Sequence, residues 1–361
     1  MMSGSKIAHF GLVRQYRNLK DELLDATDKV LRSGTLMNGE YTAAFETWLA
    51  MRNNCAFAIT VHSGTQALEI MAHWVREPYM KVYELPPIVR IPNISYVATL
   101  NAFLNAGYVV ELVDTDKNGL IAPSDNKDLL GDFSKITCLV GLYGANPGIM
   151  NRIGGQYDLV DGAQHWLVAD TICSAMAISF DPTKNLPASG NGGAIVTNDR
   201  DLYDFAYSFR SNGKHEHDNI GTNSRMSELE CAHTLVRSNH IDKWQWRREE
   251  IRWHYLDEFK NLNIRCLSRD FSVHADQKFV MYTDKRDQLV RYLNDAGIET
   301  KIHYERALSE LPVARHIEKK PDMLSTSVNL TRGLLSLPIY PELSDGEVEY
   351  IADTVKKFFT C

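Results

Sequence analysis

The stretch AMAISFDPTKNLPASGNGGAIVTND, residues 175–199, decides the fold. It contains two short apolar runs, AMAISF (175–180) and GGAIVTN (192–198), joined by a segment rich in Asp, Pro, Asn and Gly. Runs this short, apolar on both faces and bounded by turn residues, read as buried strands. Lys184 stands in the connection, just past the first strand and among Pro182, Thr183 and Asn185. Most lysines sit in water on the surface. A close backbone turn beside the Gly-rich SGNGG would instead present this ammonium into a cleft. A crevice lowers the pKa of an amine and makes it a nucleophile for carbonyl chemistry.

The same texture extends outward in both directions. AFAITV (56–61), VVELVD (109–114), ITCLVGLYG (136–144) and YDLVDGA (157–163) are short apolar, often β-branched runs, and Ser63 opens the helical run SGTQALEIMAHWV. Strands apolar on both faces and interleaved with helices predict an α/β fold with a mostly parallel sheet flanked by helices. After residue 225 the pattern changes. A long charged helical segment runs from Ser227 to about Phe259, followed by a strand KFVMYT, a helix RDQLVRYLNDAG and a strand IETKIHY. The last helix, EVEYIADTVKKFF, carries Val348, Ile351, Ala352, Val355 and Phe358 on one stripe. The division expected is a large domain over residues 1–235 and a smaller C-terminal α+β domain over 236–361.

Composition excludes several function classes. The chain of 361 residues is 44% hydrophobic and 24% charged, with a formal net charge of -7. That is the balance of a globular protein with a proper core, and it lacks the basic stripe that nucleic acid would need. No apolar run approaches a membrane span. The start MMSGSKIAHF has no apolar core of a secretory signal. The six cysteines (Cys55, Cys138, Cys173, Cys231, Cys266, Cys361) form no CxxC pair, so a reducing cytoplasm is the expected setting. His215, His217 and His233 have no metal-ligand spacing, and no metal is expected. RREE (247–250) reads as a solvated helix face.

Three further motifs surround Lys184 with candidate chemistry. In DGAQH (161–165) Asp161 ends a strand, where open α/β sheets bind ligands; aspartate also caps turns at such places. In HSGTQAL (62–68) a strand ends and a helix opens at Ser-Gly-Thr. Its free N–H groups make either a phosphate cradle or an ordinary capped start. IPNISYVATLNA (91–102) puts Tyr96 in a loop after a strand.

In their order and spacing these motifs resemble the DegT/DnrJ/EryC1/StrS family of sugar aminotransferases, a branch of the aspartate-aminotransferase fold (fold type I). The resemblance runs from SGTLMNGEYTAAFETWLA (33–50) through SGTQAL, PNISYVAT, VDTD (113–116), LYG (142–144), DGAQ and SFDPTKNL. It continues through GNGGAIVTND, FRSNG (209–213), GTNSRM (221–226) and HY (303–304) to LSLPIYPELSDGEVEYI (335–351). It implies pyridoxal 5'-phosphate as cofactor, with Lys184 as the Schiff-base and proton-shuttling lysine and Asp161 on the pyridinium nitrogen. Gln164 would bond the ring's phenolic oxygen, and Tyr96 would stack on the ring. Gly64, Thr65 and Ser179 would hold the phosphate, and Asn223 would reach the neighbouring subunit's cofactor in a homodimer with shared sites. Asn38, His303 and Tyr304 fall in family motifs as candidate substrate contacts. L-glutamate and a nucleotide-linked keto-deoxysugar would be the substrates.

The chain departs from the family pattern in several places. Cys173 and Ser174 replace a usual Gly-Asp pair, and HWLVADTI (165–172) is shorter than usual. Gly141 replaces a histidine, and HYERALSE lacks a Pro–His. The alternatives are a sugar dehydratase of the same family, a branch that has histidine in place of the lysine, and a regulatory homologue that binds the cofactor without turnover.

Overall fold

The computed structural model describes residues 6–121, 135–147, 158–168, 175–214, 220–268, 273–317 and 323–360. Seven short strands build the main sheet: β1 (Phe57–Val61), β2 (Ile88–Pro92), β3 (Val109–Val113), β4 (Lys135–Val140), β5 (Asp158–Asp161), β6 (Ala175–Ser179) and β7 (Gly193–Thr197). Their spatial order is β1-β7-β6-β5-β4-β2-β3. The pairs from β6 across to β3 are parallel, and β7 runs antiparallel to both β6 and β1. The expected mostly parallel α/β sheet is therefore present, with its one reversed strand inside the stretch that opened the sequence reading.

Strand β6 shows why the apolar runs were continuous. Ala175 and Ala177 pack in the core on one face, with Leu68, Met71 and Phe103. Met176 and Ile178 pack on the other, with Phe45, Leu49 and Trp244. Successive strand residues point to opposite faces, so a strand covered on both sides has no polar positions to spare. The covering helices are α1 (Leu12–Ser33), α2 (Glu40–Arg52), α3 (Gly64–Tyr83), α4 (Val97–Asn105), α5 (Arg200–Phe209) and α6 (Glu228–Ser238). Helix α3 starts where Ser63 caps it, its hydroxyl accepting from Gln66 N at 3.1 Å. Helix α5 starts at Asp199, which accepts from Asp201 N and Leu202 N.

The C-terminal region has its own core of Ile251, Tyr255, Phe259, Phe279, Met281, Leu335, Leu337 and Ile351. It is built from α7 (Ile241–Glu258), β8 (Arg265–Cys266), β9 (Phe279–Tyr282), α8 (Arg286–Asp295), α9 (Ser325–Thr331), β10 (Leu334–Leu337) and α10 (Asp345–Thr360). Its sheet has the order β10-β9-β8. Ile7 belongs to this core and bridges Ile298.

Two local expectations need correction. The charged segment from Ser227 to Phe259 is two helices, α6 and α7, broken at Asn239 and His240. The break lets Cys231 face the main-sheet core and Ile251 the C-terminal core. IETKIHY is not a strand. Only Lys301 bridges Ser336 on β10, because Ile298 pairs with Ile7 instead and the chain then turns toward the cleft. Cys173, Ser174, His215, His217 and Cys361 lie outside the described residues.

Candidate active site

The site forms at the C-terminal ends of β5 and β6, where the first turn of α3 meets them. Two glycines permit that approach. A Cβ on Gly64 would lie 2.7 Å from the Ser179 Cβ, and one on Gly193 would lie 2.3 Å from the Ser63 carbonyl carbon. Gly64 and Thr65 are the first two residues of the helix, so their N–H groups have no acceptor within it. The Thr65 hydroxyl has no partner among the described residues. Ser179 Oγ, at the end of β6, accepts from Asp181 N at 3.3 Å. His62 N donates to Ser224 O at 2.6 Å, which draws the GTNSRM loop alongside. Asn223 there is exposed, its Oδ1 accepting from Arg225 at 3.4 Å.

Lys184 sits in a tight turn closed by its own N–H on Asp181 O at 2.8 Å. The Asp181 carboxylate accepts from Thr183 N at 2.9 Å and from Thr183 Oγ1 at 2.6 Å. Gln277 holds the turn from the other side: Nε2 donates to Thr183 O at 2.7 Å, and Oε1 accepts from Asn185 N at 2.9 Å. Asn185 Nδ2 donates to Ala275 O at 2.5 Å. Next to Gln277, Asp276 has a φ of +50° and a buried 2.9 Å ion pair with Arg252. The sequence reading missed Gln277. Nothing in its local pattern marks it, since its partners lie some ninety residues away in the chain. Lys184 retains some exposure toward the cleft. Burial nevertheless lowers its pKa, against the pull of Asp161 and Asp181.

Asp161 is buried at the end of β5. Its Oδ2 accepts from Thr99 Oγ1 at 2.7 Å and its Oδ1 from Ala163 N at 3.1 Å. Ser95 steadies Thr99 at 2.7 Å. Burial raises the Asp161 pKa, and the bonds from Thr99 and Ala163 and the charge of Lys184 only partly oppose it. Such a carboxylate gains from a cation or N–H donor brought against it. Gln164 accepts from Tyr143 N at 2.9 Å and points Nε2 toward Tyr304 Oη at 3.4 Å. Tyr96, 57% exposed, and Tyr304 have ring centroids 6.1 Å apart. The Tyr143 hydroxyl donates to His303 O, and His303 Nδ1 pairs with Ser336 Oγ at 2.8 Å.

The structure thus brings Lys184, Asp161, Gln164, Tyr96, Tyr304 and His303 to one cleft, beside Gly64, Thr65 and Ser179. Asn38 makes no hydrogen bond with these residues. It stands exposed at φ +53° just before α2. There the buried Glu228 accepts from Gly39 N at 2.9 Å and Tyr41 N at 2.5 Å. His233 is structural, bonded to Thr27 at 2.8 Å and Ser189 at 2.7 Å. No group of three or more His, Cys, Asp or Glu suited to a metal occurs among the described residues. No helix among them is long and apolar enough to cross a membrane.

The residues present fit a phosphorylated pyridine aldehyde. The unpaired helix N–H groups and Thr65 hydroxyl suit a phosphate. The buried Asp161 suits a protonated ring nitrogen, and the amine of lowered pKa suits a carbonyl.

Comparison with known proteins gives the family of the chain. A profile of the DegT/DnrJ/EryC1/StrS aminotransferase family matches residues 17–356. The erythromycin biosynthesis sensory transduction protein EryC1 of Saccharopolyspora erythraea is 30% identical, over 94% of this chain and 96% of its own. The dTDP-3-amino-3,6-dideoxy-alpha-D-galactopyranose transaminase of Aneurinibacillus thermoaerophilus is 29% identical, over 93% of this chain and 95% of its own. The crystal structure of S. venezuelae DesV in complex with a ketimine intermediate superposes with a TM-score of 0.89 at 25% identity, covering 99% of this chain and 100% of that one.

Proposed function

The chain belongs to the DegT/DnrJ/EryC1/StrS aminotransferase family, and we propose that it moves an amino group from L-glutamate to a nucleotide-linked keto-deoxysugar, with pyridoxal 5'-phosphate held in the cleft at Lys184. The observation that carries this reading is the electrostatic pair in that cleft: an amine of lowered pKa faces a buried carboxylate that, among the described residues, has no cationic partner within hydrogen-bond distance. The names of the relatives, sugar transaminases among them, supply the substrate class.

Bound there, the cofactor supplies an aldehyde for the amine and an electron sink for the pair released when the donor's Cα–H bond breaks. Lys184 Nζ would take that Cα proton and pass it to the cofactor's carbon, shuttling it between the two atoms. Its lowered pKa keeps it neutral, and therefore basic, at a lower pH than an ordinary lysine. The Asp161 carboxylate, aimed by Thr99 and Ala163, holds a proton on the ring nitrogen. Gln164 keeps Oε1 on Tyr143 and offers Nε2 to a phenolic oxygen. Gly64, Thr65 and Ser179 take the phosphate, and the partner subunit's Asn223 adds an amide in a homodimer with shared sites. Tyr96 and Tyr304 wall the cleft and keep water from the proton transfer. A reducing cytoplasm suits the free Cys55, Cys138, Cys231 and Cys266.

The experiment is to load the purified protein with pyridoxal 5'-phosphate and add L-glutamate, then a panel of nucleotide-linked keto-sugars. The visible cofactor band should bleach with release of 2-oxoglutarate and return with one of the sugars. A band untouched by glutamate would overturn the assignment of the donor.

A further inference from the structure

Near Lys184 lies a buried lysine, Lys278, to which the reaction proposed above gives no part. Lys278 immediately precedes β9, and its N–H donates to Tyr143 O at 3.1 Å. Its side chain is only 6% exposed, with Nζ 5.8 Å from the centre of the Phe10 ring. Among the described residues it has no salt bridge and no side-chain hydrogen bond.

The groups around it leave its charge unanswered. Lys184 and Arg248 are cations, and Arg248 spends its guanidinium on the carbonyls of Asp276 and Ile339, at 3.4 and 2.5 Å. The Asp181 carboxylate is engaged by Thr183. His9 and His303 face each other with ring centroids 5.9 Å apart. Among the described residues the buried His9 Nδ1 has no hydrogen-bond partner. Lys301, the next cation along, is paired with Glu299 at 2.9 Å. These neighbours come from the N-terminal segment, the Lys184 turn, α7 and the segment before β10. An apolar core would have cost less than such a cluster of nitrogen bases, because a buried charge without a counter-charge is expensive.

We propose that Lys278, together with His9 and His303, forms a subsite for a carboxylate carried by the substrate that Lys184 handles, the amino-acid donor in the reaction proposed above. The proposal rests on that reading for the ligand's identity, and on the cluster alone for its charge. A single carboxylate matches the one full positive charge that Lys278 contributes once protonated. With the subsite empty, burial and the Lys184 and Arg248 charges lower the Lys278 pKa to about 7. Burial, with Lys278 next, lowers His9 to about 3 and His303 to about 2. An anion reverses those influences, so binding above neutral pH draws in a proton.

The test is calorimetric titration of the cofactor-loaded protein at pH 8 in two buffers of different ionisation enthalpy. Glutarate, which has neither amine nor keto group, is one probe and inorganic phosphate the other. Glutarate should bind with uptake of up to about one proton. Lys278→Met should weaken it roughly tenfold or more, as for loss of a hydrogen bond to a charged group, and abolish the uptake. Lys278→Arg, permanently charged, should bind glutarate without proton uptake; that arm stands even if Lys278→Met does not fold. Equal uptake in wild type and Lys278→Arg overturns the proposal. Phosphate binding in preference to glutarate overturns the carboxylate assignment. The cofactor band, read in the same samples, reports the Lys184 reading separately: a protein that binds glutarate with proton uptake but forms no such band keeps the subsite and loses the proposed reaction.

Discussion

The imidazole of His165 fills the space that a side chain on Gly141 would need: a Cβ at Gly141 would lie 1.8 Å from His165 Nδ1. His165 is fully buried and follows Gln164 directly, and Gly141 N donates to Asp161 O at 3.1 Å. The family resemblance places a histidine where Gly141 stands. Here the ring comes from the neighbouring strand end instead, so the two positions behave as a pair.

Gly141→Ala should therefore destabilise the protein by about 1–3 kcal/mol through overpacking. His165→Ala, which empties the space, should relieve that cost in the double variant. Urea unfolding of the four proteins in a double-mutant cycle measures the coupling. Strictly additive effects would show that the ring yields freely and that the pairing has no energetic content.

Asp161→Asn keeps the shape and the Thr99 contact but removes the charge that holds a ring proton. Turnover with glutamate should fall roughly 10²–10³-fold, the scale of losing one preorganised electrostatic contact. The variant should still bind the cofactor. Near wild-type turnover would reduce Asp161 to a turn cap for Ala163.

Much of the fold was legible because strands such as β6 and β7 are covered on both faces and carry a continuous apolar signal. Lys184, Asp161 and Gln164 stood out as candidates because they end or closely follow β5 and β6, where the apolar pattern breaks. Gln277, Thr99 and Lys278 did not. Thr99 meets Asp161 only when the start of α4 reaches the end of β5, and Gln277 and Lys278 meet the Lys184 turn and Tyr143 only when the C-terminal region docks. The break between α6 and α7 was hidden because Asn239 and His240 interrupt a charged helical pattern without Gly or Pro. The isolated Lys301 bridge was misread because its β-branched neighbours look like a strand, while Ile298 pairs with the N-terminal segment.

The shared-site proposal is tested by mixing. Lys184→Ala subunits and Asn223→Asp subunits should each be inactive, the second because its carboxylate repels a phosphate. In a heterodimer one site carries both lesions and the other carries neither. Activity should reappear toward about half of wild type per dimer, as subunit complementation requires. Proven exchange without recovery would place Asn223 in its own subunit's site.

His9 and His303 give the protein an acid limit. Their folded pKa values, about 3 and about 2, lie below the ordinary 6.5. Between pH 6.5 and about 3 the unfolded chain binds more protons, so stability falls as pH falls through that window. Urea midpoints at pH 7, 5 and 4 should drop steadily in wild type. They should drop less steeply in a His9→Gln/His303→Asn variant. Parallel curves for the two proteins would assign the acid sensitivity elsewhere.

The central claim is that Lys184 carries the cofactor, and the neighbouring Lys278, also of lowered pKa, makes the measurement discriminating. The cofactor-loaded protein is reduced with borohydride and digested, and the modified lysine is identified by mass spectrometry. The account predicts pyridoxyl label on the peptide containing Lys184, and none in the Lys184→Ala variant. Label on Lys278 or on any other lysine of the wild type, with Lys184 unmodified, would contradict it.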